Sequence, residues 1–271
     1  MSRVPARRQL FATGSVTVAS LLRGEARPAE ILGAFPTATY LRLVGGDVIA
    51  VLTADAVRLP LGLRLSTHSA DDPLDRWPGP VRVGSSCVET ADRIVRLSRI
   101  ISVSAPSNVQ PDPRAVSYAG GRLSDLVPLA PVPRLLDVLA GDPREVEAVV
   151  ARLLGLGPGL TPSGDDALAG FLVGAWSFGL ATDRLRTVVL EAAPAGTTAL
   201  SAALLRCASR GESIPQVSTL VSALSEHPDS YRLVDDALGE LGRVGHTSGA
   251  ALAAGVLAAA QAAAGARWTR A

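Results

Sequence analysis

Lysine is missing from this sequence: all 26 basic residues among its 271 are arginine. Schiff-base catalysis and a phosphate loop of the GxxxxGK[ST] kind are therefore excluded. Aromatic residues are scarce at 4%, while hydrophobic residues reach 48%, too many for a disordered chain. The core must be assembled from Ala, Leu and Val, which favours closely packed helices. The two cysteines, Cys87 and Cys207, lie far apart with no metal knuckle or CxxC pair around them, so both are expected to be buried free thiols. Bulk charge is also lacking. A net charge of +1 argues against nucleic acid or an anionic membrane as partner. The apolar runs 167–180 and 250–260 fall short of the roughly 20 residues that a bilayer crossing takes. The opening MSRVPARRQLF is basic without the apolar stretch of a secretory signal, and a cytoplasmic protein is expected.

What is present changes character along the chain. TYLRLV and VIAVL flank a GGD turn and predict a hairpin. The stretch 56–66 alternates like a half-buried strand, with Pro60 suggesting a sheet edge or bulge. Residues 79–88 and 93–105 continue the pattern, so a mostly antiparallel sheet or small barrel is expected from about Gly14 to Val103. Prolines then gather at Pro106, Pro111, Pro113, Pro128, Pro131 and Pro133. Beyond them the period becomes helical: first 134–157, with Pro143 suited to a first turn, then 161–180, 183–193, 197–210, 215–225, 230–240 and 247–264. The expected class is α+β, an antiparallel β-rich domain over 1–110, a Pro-rich linker over 111–134 and a helical domain over 135–271.

The most distinctive stretch is GLGPGLTPSGDDALAGFLVG, residues 155–174. Gly155, Gly157 and Gly159 allow positive φ and close approach of a ligand. Thr161 suits an N-cap and Pro162 a first helical position. A glycine loop feeding a helix start leaves N–H groups and the positive dipole end facing outward, a ready site for a carboxylate or phosphate. Thr161 and Ser163 add hydroxyl donors. Asp165 and Asp166 stabilise the first turn without any ligand. Only one of them is expected to face the site, accepting from a ligand amide or holding a divalent cation such as magnesium. Capping and close packing alone account for the stretch equally well.

GHTSGAALAAGVLAA, residues 245–259, repeats the design. Ser163–Gly164 precedes Gly170 as Ser248–Gly249 precedes Gly255, each after Gly-x-Thr, with Pro162 inserted in the first copy. Such a repeat suits two similar helices packed antiparallel. His246, at the second helix start, would act as a neutral donor or base, although a structural histidine is the commoner case. His68 and His227 lie in polar loops and read as exposed. Between the two copies, TTALSAALLRCASRG reads as a capped helix carrying Thr197, Thr198 and Ser201. No GxSxG elbow supports a serine hydrolase.

These three blocks, in this order, resemble the AllH-like family, which includes a subunit of oxamate carbamoyltransferase. The resemblance is specific over the C-terminal half and holds only in outline over the β-rich half. It implies a cytoplasmic subunit working with two partner subunits in anaerobic allantoin and purine breakdown, where oxalurate and phosphate give oxamate and carbamoyl phosphate. The implied ligands are small anions bearing carboxylate, phosphate or carbamoyl groups. By the family motif Gly157, Gly159, Thr161, Ser163, Gly164, Asp165 and Asp166 carry over as the main site; Thr198, Ser201, His246, Ser248 and Gly249 carry over more weakly. Asp165, Asp166 and His246 are the expected catalytic groups and the remainder the expected ligand contacts. One departure stands out: an acidic residue often follows the second Ser-Gly pair in the family, whereas Ala250 and Ala251 stand here. The chain is then expected to bind a different ligand or to have lost turnover. The alternative expectation is a non-catalytic ligand-binding or assembly subunit.

Overall fold

A computed structural model describes residues 7–124, 136–139, 145–225 and 227–265. Contacts divide the chain into two compact units, Met1–Val103 and Ser104–Ala271.

The first unit contains strands β1 (Arg8–Gly14), β2 (Arg27–Phe35), β3 (Ala38–Leu43), β4 (Val48–Leu52), β5 (Gly62–Leu65), β6 (Val81–Gly84), β7 (Cys87–Glu89) and β8 (Arg93–Ile100). Helix α1 (Val16–Leu21) is set between β1 and β2. The strands close into a barrel in the order β1-β5-β4-β3-β2-β6-β7-β8. Its interior is aliphatic, with Leu41, Ile49, Val51, Leu63, Val88 and Val95 all fully buried. The GGD hairpin forms as its pattern suggests, joining β3 to β4 antiparallel. Ser85 and Ser86 take φ of 48° and 61° at the β6–β7 turn, the left-handed pair that matches strand twist in a two-residue hairpin.

This architecture corrects the expected antiparallel β domain followed by a helical domain. The strands close on themselves, β1 pairs with β8 in parallel, and β4 pairs with β5 in parallel. A helix interrupts the strands, held by Ser15, whose hydroxyl accepts from the Val18 amide at 3.1 Å and donates to the Pro60 carbonyl at 2.7 Å. Apolar alternation reports which face of a strand is buried; it says nothing of strand direction or closure. Pro60 is neither on an edge nor in a strand, because β5 begins two residues later and a closed barrel has no edge.

The second unit is helical: α2 (Pro113–Ser124), α3 (Val146–Leu153), α4 (Ser163–Phe178), α5 (Asp183–Gly196), α6 (Ala199–Ala208), α7 (Pro215–Ala223), α8 (Ser230–Leu241) and α9 (Ser248–Ala264). Residues 113–124, read above as linker, are therefore helix, and α2 packs on α8 and α9. Pro128, Pro131, Pro133 and Pro143 lie outside the described residues, as does the rest of the expected linker beyond residue 124.

At the centre α4 and α9 lie in close contact, both almost wholly buried. A methyl added at Gly170 would sit 2.1 Å from the Leu252 carbonyl oxygen, and one at Gly255 would sit 2.1 Å from that of Ala167. Further along, a methyl at Gly174 would fall 2.8 Å from the Ala259 Cβ. Residue numbers rise together on the two helices, so they run parallel, correcting the antiparallel expectation. Backbone touches backbone here only because neither contact residue has a side chain. Among the described residues no helix is long and apolar enough to cross a membrane. Cys87 and Cys207 are buried and free, and burial pushes their thiols up to about 11 and about 12, leaving both poor nucleophiles.

Candidate functional site

Parallel packing brings the starts of α4 and α9 together. The chain leaves α3 at Leu153 and turns through Gly155, Gly157 and Gly159 at φ of 70°, 113° and 96°. The turn returns to begin α4 against its own approach: the Gly164 amide donates to the Leu156 carbonyl at 2.9 Å. The second copy does the same. The Gly249 amide donates to the Val244 carbonyl at 3.0 Å as α9 starts against the end of α8. The hydroxyls then cross between the copies. Thr161 pairs with Ser248 at 3.2 Å, and Ser163 pairs with Thr247 at 2.9 Å. The Thr of each copy thus meets the Ser of the other, and with the reciprocal Gly170 and Gly255 contacts this makes a local pseudo-two-fold.

A third helix start joins them. Thr198 caps α6, accepting from the Ser201 amide at 3.1 Å, and donates to the Leu160 carbonyl in the glycine turn at 2.6 Å. Thr197 donates to Asp165 Oδ2, while the Gly155 amide donates to Asp165 Oδ1 at 2.8 Å. Three positive helix ends and their hydroxyls converge on one locus.

The two aspartates differ. Asp165 is 2% exposed, and both of its oxygens accept bonds that tie α4 to the glycine turn and to α6. Burial raises its pKa, and the Thr197, Gly155 and Ser201 bonds oppose the rise. Asp166 is 7% exposed, and its Oδ2 has no hydrogen-bond partner. Burial pushes its carboxyl up to about 7; the neighbouring Ser248 hydroxyl works against this and the charge of Asp165 adds to it. The Ser201 hydroxyl is buried beside Asp165.

Several expectations need correcting at this level. Thr161 does not cap α4: the N-cap is Pro162, without a side-chain bond, because the Thr161 hydroxyl is engaged across the helix pair. The amides of Gly164, Asp165 and Asp166 are taken by the carbonyls of Leu156 and Pro162. Those of Gly157, Gly159, Leu160, Thr161 and Ser163 have no backbone acceptor among the described residues, so the free donors lie in the turn rather than in the first helical turn. A divalent cation does not fit the donor set. Asp165 has no oxygen to spare, Asp166 is sealed beneath the surface, and no cluster of three His, Cys, Asp or Glu occurs among the described residues.

Of the residues singled out from the sequence, Thr161, Ser163, Gly164, Asp165, Asp166, Thr198, Ser201, Ser248 and Gly249 all fall at these three helix starts, with Gly157 and Gly159 in the turn above them. His246 is exposed next to Thr247 and makes no side-chain hydrogen bond. Ser163 pairs with a threonine and with no base, which disfavours a serine nucleophile. Sequence reasoning left Thr197 and Thr247 out of the site. The Gly-x-Thr repeat held the signal for Thr247, whereas nothing local marks Thr197 as the partner of a residue 32 positions away.

The arrangement defines a class: a helical unit whose converging helix starts present amides and hydroxyls in place of a nucleophilic elbow or a metal centre. Residues 153–260 match the family described as oxamate carbamoyltransferase subunit AllH. The match takes in all three helix starts and none of the barrel. No solved structure matches the chain.

Proposed function

We propose that this chain is a subunit associated with a carbamoyltransferase and that it holds a small planar anion of the oxalurate or oxamate kind where α4, α6 and α9 begin. The observation that supports this reading is the convergence of three helix N-termini, with a row of amides in the turn above them that have no backbone acceptor among the described residues, inside the stretch that matches the AllH family. In this reading the amides of Gly157, Gly159, Thr161 and Ser163 stabilise the carboxylate and negative charge developing on oxygen. The hydroxyls of Thr161, Ser163, Thr198 and Ser248 orient the ligand. Asp165 fixes the geometry of the turn, Asp166 and Ser201 form the buried floor, and His246 stands exposed at the second helix start. Carbamoyl transfer to or from phosphate, other protein subunits as partners, a role in allantoin or purine catabolism and a cytoplasmic location complete the proposal.

A second reading, a non-catalytic ligand-binding subunit, is favoured by one observation: both aspartates are sealed and His246 has no partner, so no acid–base pair faces open space. Carbamoyl transfer from oxalurate to phosphate separates the two, assayed with partner subunits and with this chain present, absent or carrying Ser163→Ala together with Ser248→Ala. Catalysis here requires kcat to fall by about 100-fold or more in the double variant. An unchanged kcat with altered KM leaves only the binding role, and no dependence on this chain at all removes the proposal.

A further inference from the structure

Asp166 occupies an unusual position even within this site. It is sealed from solvent, one of its oxygens has no donor, and Ser248 is the hydroxyl at its side. Ser248 in turn pairs with Thr161 at 3.2 Å, and either oxygen is able to donate. Thr161 is only half-buried and opens towards the glycine turn. We propose that anion capture at the paired helix starts takes up one proton, held on Asp166 and read out through Ser248 and Thr161. The inference rests on the reading above, that a small anion binds here, and adds the condition under which it binds.

The direction of each bond follows from the charge on Asp166. An ionised Asp166 draws the Ser248 hydrogen to itself. Ser248 then offers a lone pair to Thr161, the Thr161 hydrogen turns inward, and oxygen lone pairs face the mouth. Such a mouth repels an anion. A neutral Asp166 donates to the Ser248 oxygen, Ser248 donates to Thr161, and the Thr161 hydrogen is released outward as a donor. The proton comes from solvent. Each hydroxyl on the path accepts one hydrogen and passes one on, so no atom is left over.

Among the described residues nothing else nearby substitutes for this titration. Asp165, on the same helix, is the charged group that bears on Asp166, and it raises its pKa. Helix α9 carries no charged residue; Arg243 and His246 precede it. Helix α6 brings only Arg206, α7 none, and α3 brings Glu147 and Arg152. Asp165 accepts two hydrogen bonds that oppose the rise burial imposes on it, whereas Asp166, with an unpartnered oxygen and pushed up to about 7 chiefly by burial, is the member of the pair to which we assign the proton. The second copy has Ala251 in the place of Asp166, so only the α4 half carries the device.

Titration calorimetry of the full chain with oxamate, alone and with partner subunits, tests the inference. The oxamate carboxylate stays ionised throughout, and two buffers of different ionisation enthalpy report proton exchange. Above about pH 8 each bound oxamate should take up close to one proton, and Kd should rise about tenfold per pH unit; below about pH 6 both effects should vanish. Asp166→Asn, with its fold verified by circular dichroism, should bind with an affinity independent of pH. Oxamate binding by the native chain without proton uptake at any pH overturns the inference and leaves the proposed function standing. An absence of oxamate binding under every condition overturns both.

Discussion

Asp165 and Asp166 are adjacent in sequence, and the fold gives them opposite tasks. Asp165 spends both oxygens on the protein, tying the Gly155 amide and the Thr197 hydroxyl to the first turn of α4. Asp165→Ala removes these bonds and leaves a half-buried hydroxyl and an amide to find new partners. The expected cost is about 2–4 kcal/mol of stability, read as a lower midpoint in urea unfolding. A loss under about 1 kcal/mol would mean that the clamp is dispensable. The acidic pair itself was legible in the sequence, but both members are buried where only one was expected to face the site. That burial was not legible, since successive helical residues point about 100° apart and the neighbours that decide come from α6 and α9.

At the scale of elements, the parallel α4–α9 pair is what makes the site. Small residues at identical spacing were visible in both copies, and they do mark a close contact. Their direction was not visible, because a stripe of glycines packs as well antiparallel as parallel. The reciprocal Gly170 and Gly255 contacts and the crossed Thr–Ser pairs settle it. Gly170→Ala shows how tight the contact is. Helix propensity favours alanine by about 1 kcal/mol, but its methyl would meet the Leu252 carbonyl oxygen at 2.1 Å, far inside contact distance. Overpacking should win, with a net loss of about 2–3 kcal/mol in denaturant unfolding and weaker oxamate binding as the two helix starts separate. A neutral or stabilising outcome would show that the helices have room to part.

At the scale of the whole molecule, charge is nearly balanced at +1 and offers no field to steer an anion. In the proposed function, affinity for oxamate is then a local matter of amides and hydroxyls. Raising the ionic strength about tenfold should change Kd by less than about threefold, measured by calorimetry at fixed pH. A steeper dependence would point to an arginine-lined site elsewhere. The absence of lysine excluded whole mechanisms outright, and Ala, Leu and Val scattered at helical spacing in the second half placed six helices, α4 to α9, close to where they are. The same composition fixed neither the closure of the barrel nor its parallel pairings, which depend on contacts between strands as distant as β1 and β8.

By itself, the sequence determined the local chemistry: glycines able to turn with positive φ, hydroxyls at helix starts, an acidic pair in a first turn, and two copies of one design. Tertiary structure alone decided that those starts meet, that the first-turn amides of α4 are already occupied, and that Asp166 lies buried beside Ser248. Local patterns express which side chains a segment offers to its own turn or face. The direction in which two such segments meet, and so which atoms are left unpaired, is fixed only when the backbones come within contact of each other.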